Sequence, residues 1–192
     1  VRTAILVDEM NLINQLHKMG IKGIKEWIQL YETIEKYFCL GKAEFNFYTA
    51  NVPVEFNSDR HKLRSRFFHA LERKGINVHE GFTVFDSSKQ LVIKGVDILL
   101  SLDILEKSLD GFDEIIIVSA TSSHLPTIER VKRKGTTVKV VVSEVAPAGK
   151  LVEACDETIS LEEVIELLPP EQIKWLKYEK SKLRHLKENY IA

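Results

Sequence analysis

Cysteine is scarce in this chain: Cys39 and Cys155 are its only two, far apart and without metal-ligand spacing. That argues against a disulfide framework or a cysteine zinc site and points to free thiols in a reducing compartment. Long apolar runs are missing, as is a signal-peptide pattern, so neither membrane insertion nor secretion is expected and the default location is cytoplasmic. There is no excess of one charge sign either. At a formal net charge of −1, no global basic field advertises nucleic-acid binding, which would have to come from local patches. Finally, no glycine-rich phosphate loop is present, which counts against a nucleotide-binding α/β domain. Internal repeats and low-complexity tracts are absent as well.

What is present is an ordinary globular composition, 44% apolar and 29% charged over 192 residues, ample for one domain with a real core. The most informative feature lies near the start. Ile5-Leu6-Val7 runs straight into Asp8-Glu9-Met10-Asn11. A short run of branched apolar residues reads as a strand buried on both faces, as inside a parallel sheet. Ligands of open α/β sheets sit beyond the carboxyl ends of the strands, which is where Asp8 falls.

The remaining pattern alternates strands with helices. After a polar link, Ile24, Trp27, Ile28, Tyr31, Ile34 and Phe38 recur at helical spacing. Strand patterns follow at 43–49, 76–79, 114–119, 137–142 and 157–159, with 115–118 the strongest buried strand. Helices are expected at 61–74, 96–109, 125–134 and near 150–154, and then from Ser160, where Ser160-Leu161-Glu162-Glu163 fits a capping box. Residues 87–89 read as a turn. Past Pro169-Pro170 a last helix is expected from Glu171 to about Asn189. The division is a domain over 1–168 and a helical extension over 169–192. The fold class is α/β, a mostly parallel central sheet with helices on both faces.

Three polar clusters stand at element ends: Asp8 with Asn11; Lys94-Gly95-Val96-Asp97 followed by Asp103; and Ser119-Ala120-Thr121-Ser122-Ser123-His124. Each has a plain structural reading. Asp8 can cap a turn, Asp97 can favour a helix N-terminus, and Asp103 can be a solvated helix charge. The hydroxyls can cap a helix or cradle a phosphate at its N-terminus. His124 reads as a polar surface residue whose near-neutral pKa would also suit proton transfer.

In order and spacing the sequence resembles the NYN domain, a LabA-like branch of the PIN-like nuclease fold. The resemblance rests on four blocks: Val7-Asp8-Glu9-Met10-Asn11-Leu12; Lys94-Gly95-Val96-Asp97 with Leu102-Asp103; Ile117-Val118-Ser119 with Leu125-Pro126; and Lys134-Gly135-Thr136-Thr137-Val138. It departs in the third block. The family usually carries Ser-Gly-Asp-x-Asp-Phe there, whereas Thr121 and Ser123 here replace both carboxylates.

The resemblance implies a PIN-like three-layer sandwich and a metal-dependent ribonuclease acting on RNA. Asp8, Asp97 and Asp103 would hold Mg²⁺ or Mn²⁺, since hard cations take oxygen ligands, and Asn11 would orient phosphate or water. Ser119, Thr121 and Ser123 would contact substrate. With two charges gone, one metal or none is expected, and activity is expected to be weakened. The alternative is a degenerate RNA-binding or regulatory domain. Arg64 and Arg66, in the basic 60–74 segment, are the expected phosphate contacts. The last helix, crowded with lysines but carrying Ile173, Trp175, Leu176, Leu183 and Leu186, is expected to pack on the domain or on a second copy of the chain.

Overall fold

The computed structural model describes residues 1–177. In chain order, β1 (Thr3–Asp8) leads into α1 (Glu9–Lys18), β2 (Ile21–Ile24) and α2 (Trp27–Phe38). Next come β3 (Ala43–Thr49), α3 (Ser58–Arg73) and β4 (Ile76–Glu80). A hairpin of β5 (Phe82–Phe85) and β6 (Leu91–Lys94) precedes α4 (Val96–Leu109). The chain then forms β7 (Glu114–Val118), α5 (Leu125–Arg133), β8 (Thr137–Val142) and α6 (Gly149–Ala154). Last are β9 (Glu157–Ser160), α7 (Leu161–Leu167) and β10 (Ile173–Trp175).

Six strands form one sheet in the order β4-β3-β1-β7-β8-β9, and every neighbouring pair is parallel. From β1 the chain walks outward through β3 to β4, then crosses back to the other side of β1 and walks out through β7, β8 and β9. The direction reverses between β1 and β7, which opens a crevice at their carboxyl ends.

Strand alternation builds the two cores. Ile5 and Val7 of β1 face one, with Leu12 and Leu16 of α1, Leu30 and Ile34 of α2 and Val164 of α7. Ala4 and Leu6 face the other, with Leu100 and Ile104 of α4, Ile128 of α5 and Leu151 of α6. The expected layered α/β architecture is therefore the observed one. Burial pushes the thiol of Cys39 up to about 12 and that of Cys155 to about 11, so neither is primed as a nucleophile. Among the described residues no helix is long and apolar enough to cross a membrane.

Two expectations are corrected and a third is extended. The polar link after β1 is α1 and β2, and α1 starts where Asp8 accepts the Asn11 N–H. With only Leu12, Gln15 and Leu16 buried, its apolar stripe is too thin to stand out in sequence. The turn expected at 87–89 is present and closes a hairpin of two strands not expected from sequence, because each apolar stretch is only four residues long and half-exposed. The expected helix from Glu171 opens instead as a 3₁₀ turn, and β10 then pairs antiparallel with β2, where Ile173 is buried. The rest of that expected helix, from residue 178, lies outside the described residues. At α7, Ser160 Oγ does accept the Glu163 N–H at 3.3 Å. The carboxylate that gathers this corner is Glu162, which accepts from Ser143 Oγ and from the Glu144 N–H, the latter at 3.0 Å.

Candidate metal centre

Asp8 is the last residue of β1 and shares its face with Ala4 and Leu6, so its side chain stands on the α4 side of the sheet, at the crevice. It is only 4% exposed. One carboxylate oxygen accepts the Asn11 N–H at 3.1 Å, and Ser119 Oγ lies 3.5 Å from the other. Burial pushes its pKa up to about 6, and the nearby charges of Asp97 and Glu9 push the same way. The Asn11 N–H and the Ser119 hydroxyl pull partly against them. A buried acid beside a second acid is short of positive charge.

Asp97 arrives from the first turn of α4. Gly95 before it adopts φ +81°, a left-handed conformation open to glycine at little cost. An added Cβ there would lie 3.0 Å from the Phe82 ring. This turn swings the chain from the β5–β6 hairpin into α4 and presents Asp97 to the cleft.

The third contributor is His124, in the turn between β7 and α5. It is fully buried, which corrects its reading as a surface residue. Its Nδ1 lies 2.8 Å from Ser101 Oγ. A ring nitrogen of His124 and a carboxylate oxygen from each of Asp8 and Asp97 all lie within 4.8 Å of one another. Burial holds the imidazole below its ordinary pKa, although the nearby Asp97 acts in the other direction.

Asp8 and Asp97 line a cleft of about 1160 Å³, with Asn11, Thr121 and Ser123 also on its wall and His124 outside that lining. Asn11 works on protein rather than facing a ligand with its oxygen: Oδ1 accepts the Ala120 N–H at 2.8 Å and Gln15 Nε2 at 2.9 Å. It thereby pins the third turn to α1. Thr121 and Ser123 bond to each other through their hydroxyls at 2.9 Å, and Ser119 is buried behind them.

Asp103 does not join the group. Six residues beyond Asp97, it sits about 9 Å further along the helix and roughly 120° around it. There it accepts the Tyr48 hydroxyl at 2.6 Å and meets His79 Nδ1 at 3.4 Å. Arg64 lines the cleft, but its guanidinium is taken up by Glu9, in contacts of 2.5 and 3.2 Å, and by Thr49 Oγ1 at 2.8 Å. Arg66 is exposed on α3 and is not part of the cleft lining. The exposed cations that do line it are Arg60, Lys94 and Arg130. Spacing gave no signal for the Glu9–Arg64 pair, because its members are 55 residues apart.

The donor set of two carboxylates and an imidazole, with burial and the neighbouring Asp97 raising the Asp8 pKa, fits a divalent cation. A nuclease-type reading agrees with comparison to known proteins. No curated protein matches the chain significantly. The crystal structure of a protein of unknown function from Vibrio parahaemolyticus is similar, with a TM-score of 0.64 at 17% identity, over 85% of this chain and 94% of that one. At that identity the likeness speaks for the fold alone. The NYN domain, by contrast, is matched across residues 2–162, which takes in β1, the hairpin, α4 and the turn after β7. The chain belongs to the NYN domain family and is a PIN-like, nuclease-type domain.

Proposed function

We propose that the protein is a divalent-metal-dependent ribonuclease with a reduced set of acids. The observation that carries the reading is the approach of Asp8 and Asp97, from separate segments, at the sheet's switch point inside a large cleft. Asp8 and Asp97 hold Mg²⁺ or Mn²⁺, which when bound polarises water and shields phosphate charge. The chain's own groups do the rest. Asn11 keeps the turn at Ala120 in place, and Thr121 and Ser123 offer hydroxyls to a phosphate oxygen. Arg60, Lys94 and Arg130, all exposed, rim the cleft with positive charge, suiting a polyanion whose scissile phosphate must reach the acids. RNA as the polyanion follows from the family.

A second reading has its own observation. Thr121 and Ser123 carry no charge where the family pattern has carboxylates, so the domain would bind RNA without cutting it. Labelled single-stranded RNA incubated with and without Mn²⁺, beside Asp8→Asn and Asp97→Asn, separates the two. The nuclease reading expects metal-dependent cleavage that falls at least about 100-fold in either variant, the scale on which loss of one charge-stabilising group acts. Tight binding with no cleavage by the wild type overturns it in favour of the second.

A further inference from the structure

His124 is an odd residue to bury. It is 0% exposed, Nδ1 is engaged by Ser101 Oγ, and Nε2 has no hydrogen-bond partner among the described residues. A buried polar atom left unpaired is costly to the fold. The imidazole is nonetheless held beside the two acids, with a ring nitrogen within 4.8 Å of an oxygen of each. Neutral imidazole with one nitrogen fixed by a hydroxyl and the other unspent is the state of a metal-ligating histidine, whose second nitrogen is normally held by a neighbouring polar group. Ser101 stands one helical turn beyond Asp97 on α4, so the same helix supplies one acid and the group that orients the ring.

We infer that His124 is a third metal ligand and that the site is built for a first-row transition ion of the Mn²⁺, Co²⁺ or Zn²⁺ kind rather than for Mg²⁺. This rests on the proposed metal site at Asp8 and Asp97 and names its ion class. Mg²⁺ favours oxygen donors and is strengthened by carboxylate charge, which Thr121 and Ser123 do not supply. A nitrogen donor adds nothing to the charge, but it favours transition ions, for which imidazole is a good ligand. The loss of acids from the turn after β7 and the burial of a histidine in that same turn thus act in one direction.

The test is metal binding by the whole chain, measured by calorimetry with Co²⁺, Zn²⁺ and Mg²⁺, and by ¹⁵N chemical shifts of the histidine rings during Zn²⁺ titration. Two variants accompany it: His124→Phe, which fills the buried space without a donor, and Asp8→Asn. In the wild type the His124 ring nitrogen is expected to shift on Zn²⁺ binding. In His124→Phe, Co²⁺ and Zn²⁺ affinities are expected to fall at least about tenfold while Mg²⁺ affinity barely moves. Preference for Co²⁺ over Mg²⁺ alone does not decide the matter, since most ligand sets share it. An unshifted His124 ring with Zn²⁺ bound overturns the inference, and that readout needs no variant to fold. If Asp8→Asn abolishes binding while His124→Phe does not, only the histidine's role falls. If the wild type binds no divalent ion, the metal site beneath it falls too.

Discussion

Asp8 is asked to do two incompatible things at the scale of a single residue. As the cap of α1 it is best ionised, accepting the Asn11 N–H; as a buried group beside Asp97 it resists ionisation, and its pKa rises to about 6. The folded chain therefore holds this proton more tightly than the unfolded chain does. Its favourable contribution is complete below about pH 4 and is lost as pH rises to about 6. The shift from 3.8 to about 6 corresponds to about 3 kcal/mol at neutral pH. Asp8→Asn keeps an oxygen for the cap and removes the titration. In chelator at pH 7 the variant is expected to be more stable than the wild type by up to about 3 kcal/mol, with the gap closing near pH 4. Urea melts across that range check it. Equal stability at pH 7 would mean that the carboxyl is not strained in the fold.

Among the elements, α1 holds the rim of the crevice together. Asn11 accepts the Ala120 N–H after β7, and one turn later Gln15 accepts the Ser143 N–H after β8 at 2.8 Å. One polar helix face thus ties off two neighbouring strand ends. Asn11→Ala strands the Ala120 N–H and one Gln15 donor, and should cost about 1–3 kcal/mol. Faster amide exchange at Ala120 and a lowered urea midpoint are the expected readings. Asn11→Asp can still accept both bonds and should restore protection at Ala120; failure to do so would place the effect elsewhere. This face was hard to see in sequence. In sequence Gln15 is one residue of a polar link and Asn11 a candidate for orienting phosphate or water, and neither reads as a tie between strand ends until the strands they bridge are known. The block around Asp8 stands out in sequence as a candidate, but the helix that begins at Glu9 does not.

Across the whole molecule, charge is nearly balanced yet unevenly placed, with Asp8 and Asp97 in the cleft and the exposed Arg60, Lys94 and Arg130 around its rim. If RNA follows that rim, its affinity depends on salt through those few cations rather than through net charge. With Asp8→Asn as the non-cleaving background, Arg60→Ala and Lys94→Ala are each expected to reduce the slope of log affinity against log salt. The reduction on single-stranded RNA is about 0.7 for each phosphate no longer neutralised. Arg66→Ala, on the outer face of α3, should leave the slope unchanged. Fluorescence anisotropy at several salt concentrations measures this, and equal slopes for all three variants would exclude the rim as the RNA track.

Local pattern determined much of this protein. Branched apolar runs bounded by glycines and caps point to most of the parallel strands, because a run too short for a buried helix and apolar throughout suits a strand covered on both faces. The Asp8 and Lys94–Asp97 blocks point to a site because they stand at element ends. Tertiary structure alone decided which acids meet. Asp97 and Asp103 share a helix, but a separation of about 120° around its axis sends one to the crevice and the other to Tyr48 and His79. It also drew Arg64 to Glu9 and turned His124 inward beside Asp8 and Asp97. Those pairings join residues from tens to more than a hundred positions apart, brought together by the order of strands in the sheet rather than by any spacing along the chain.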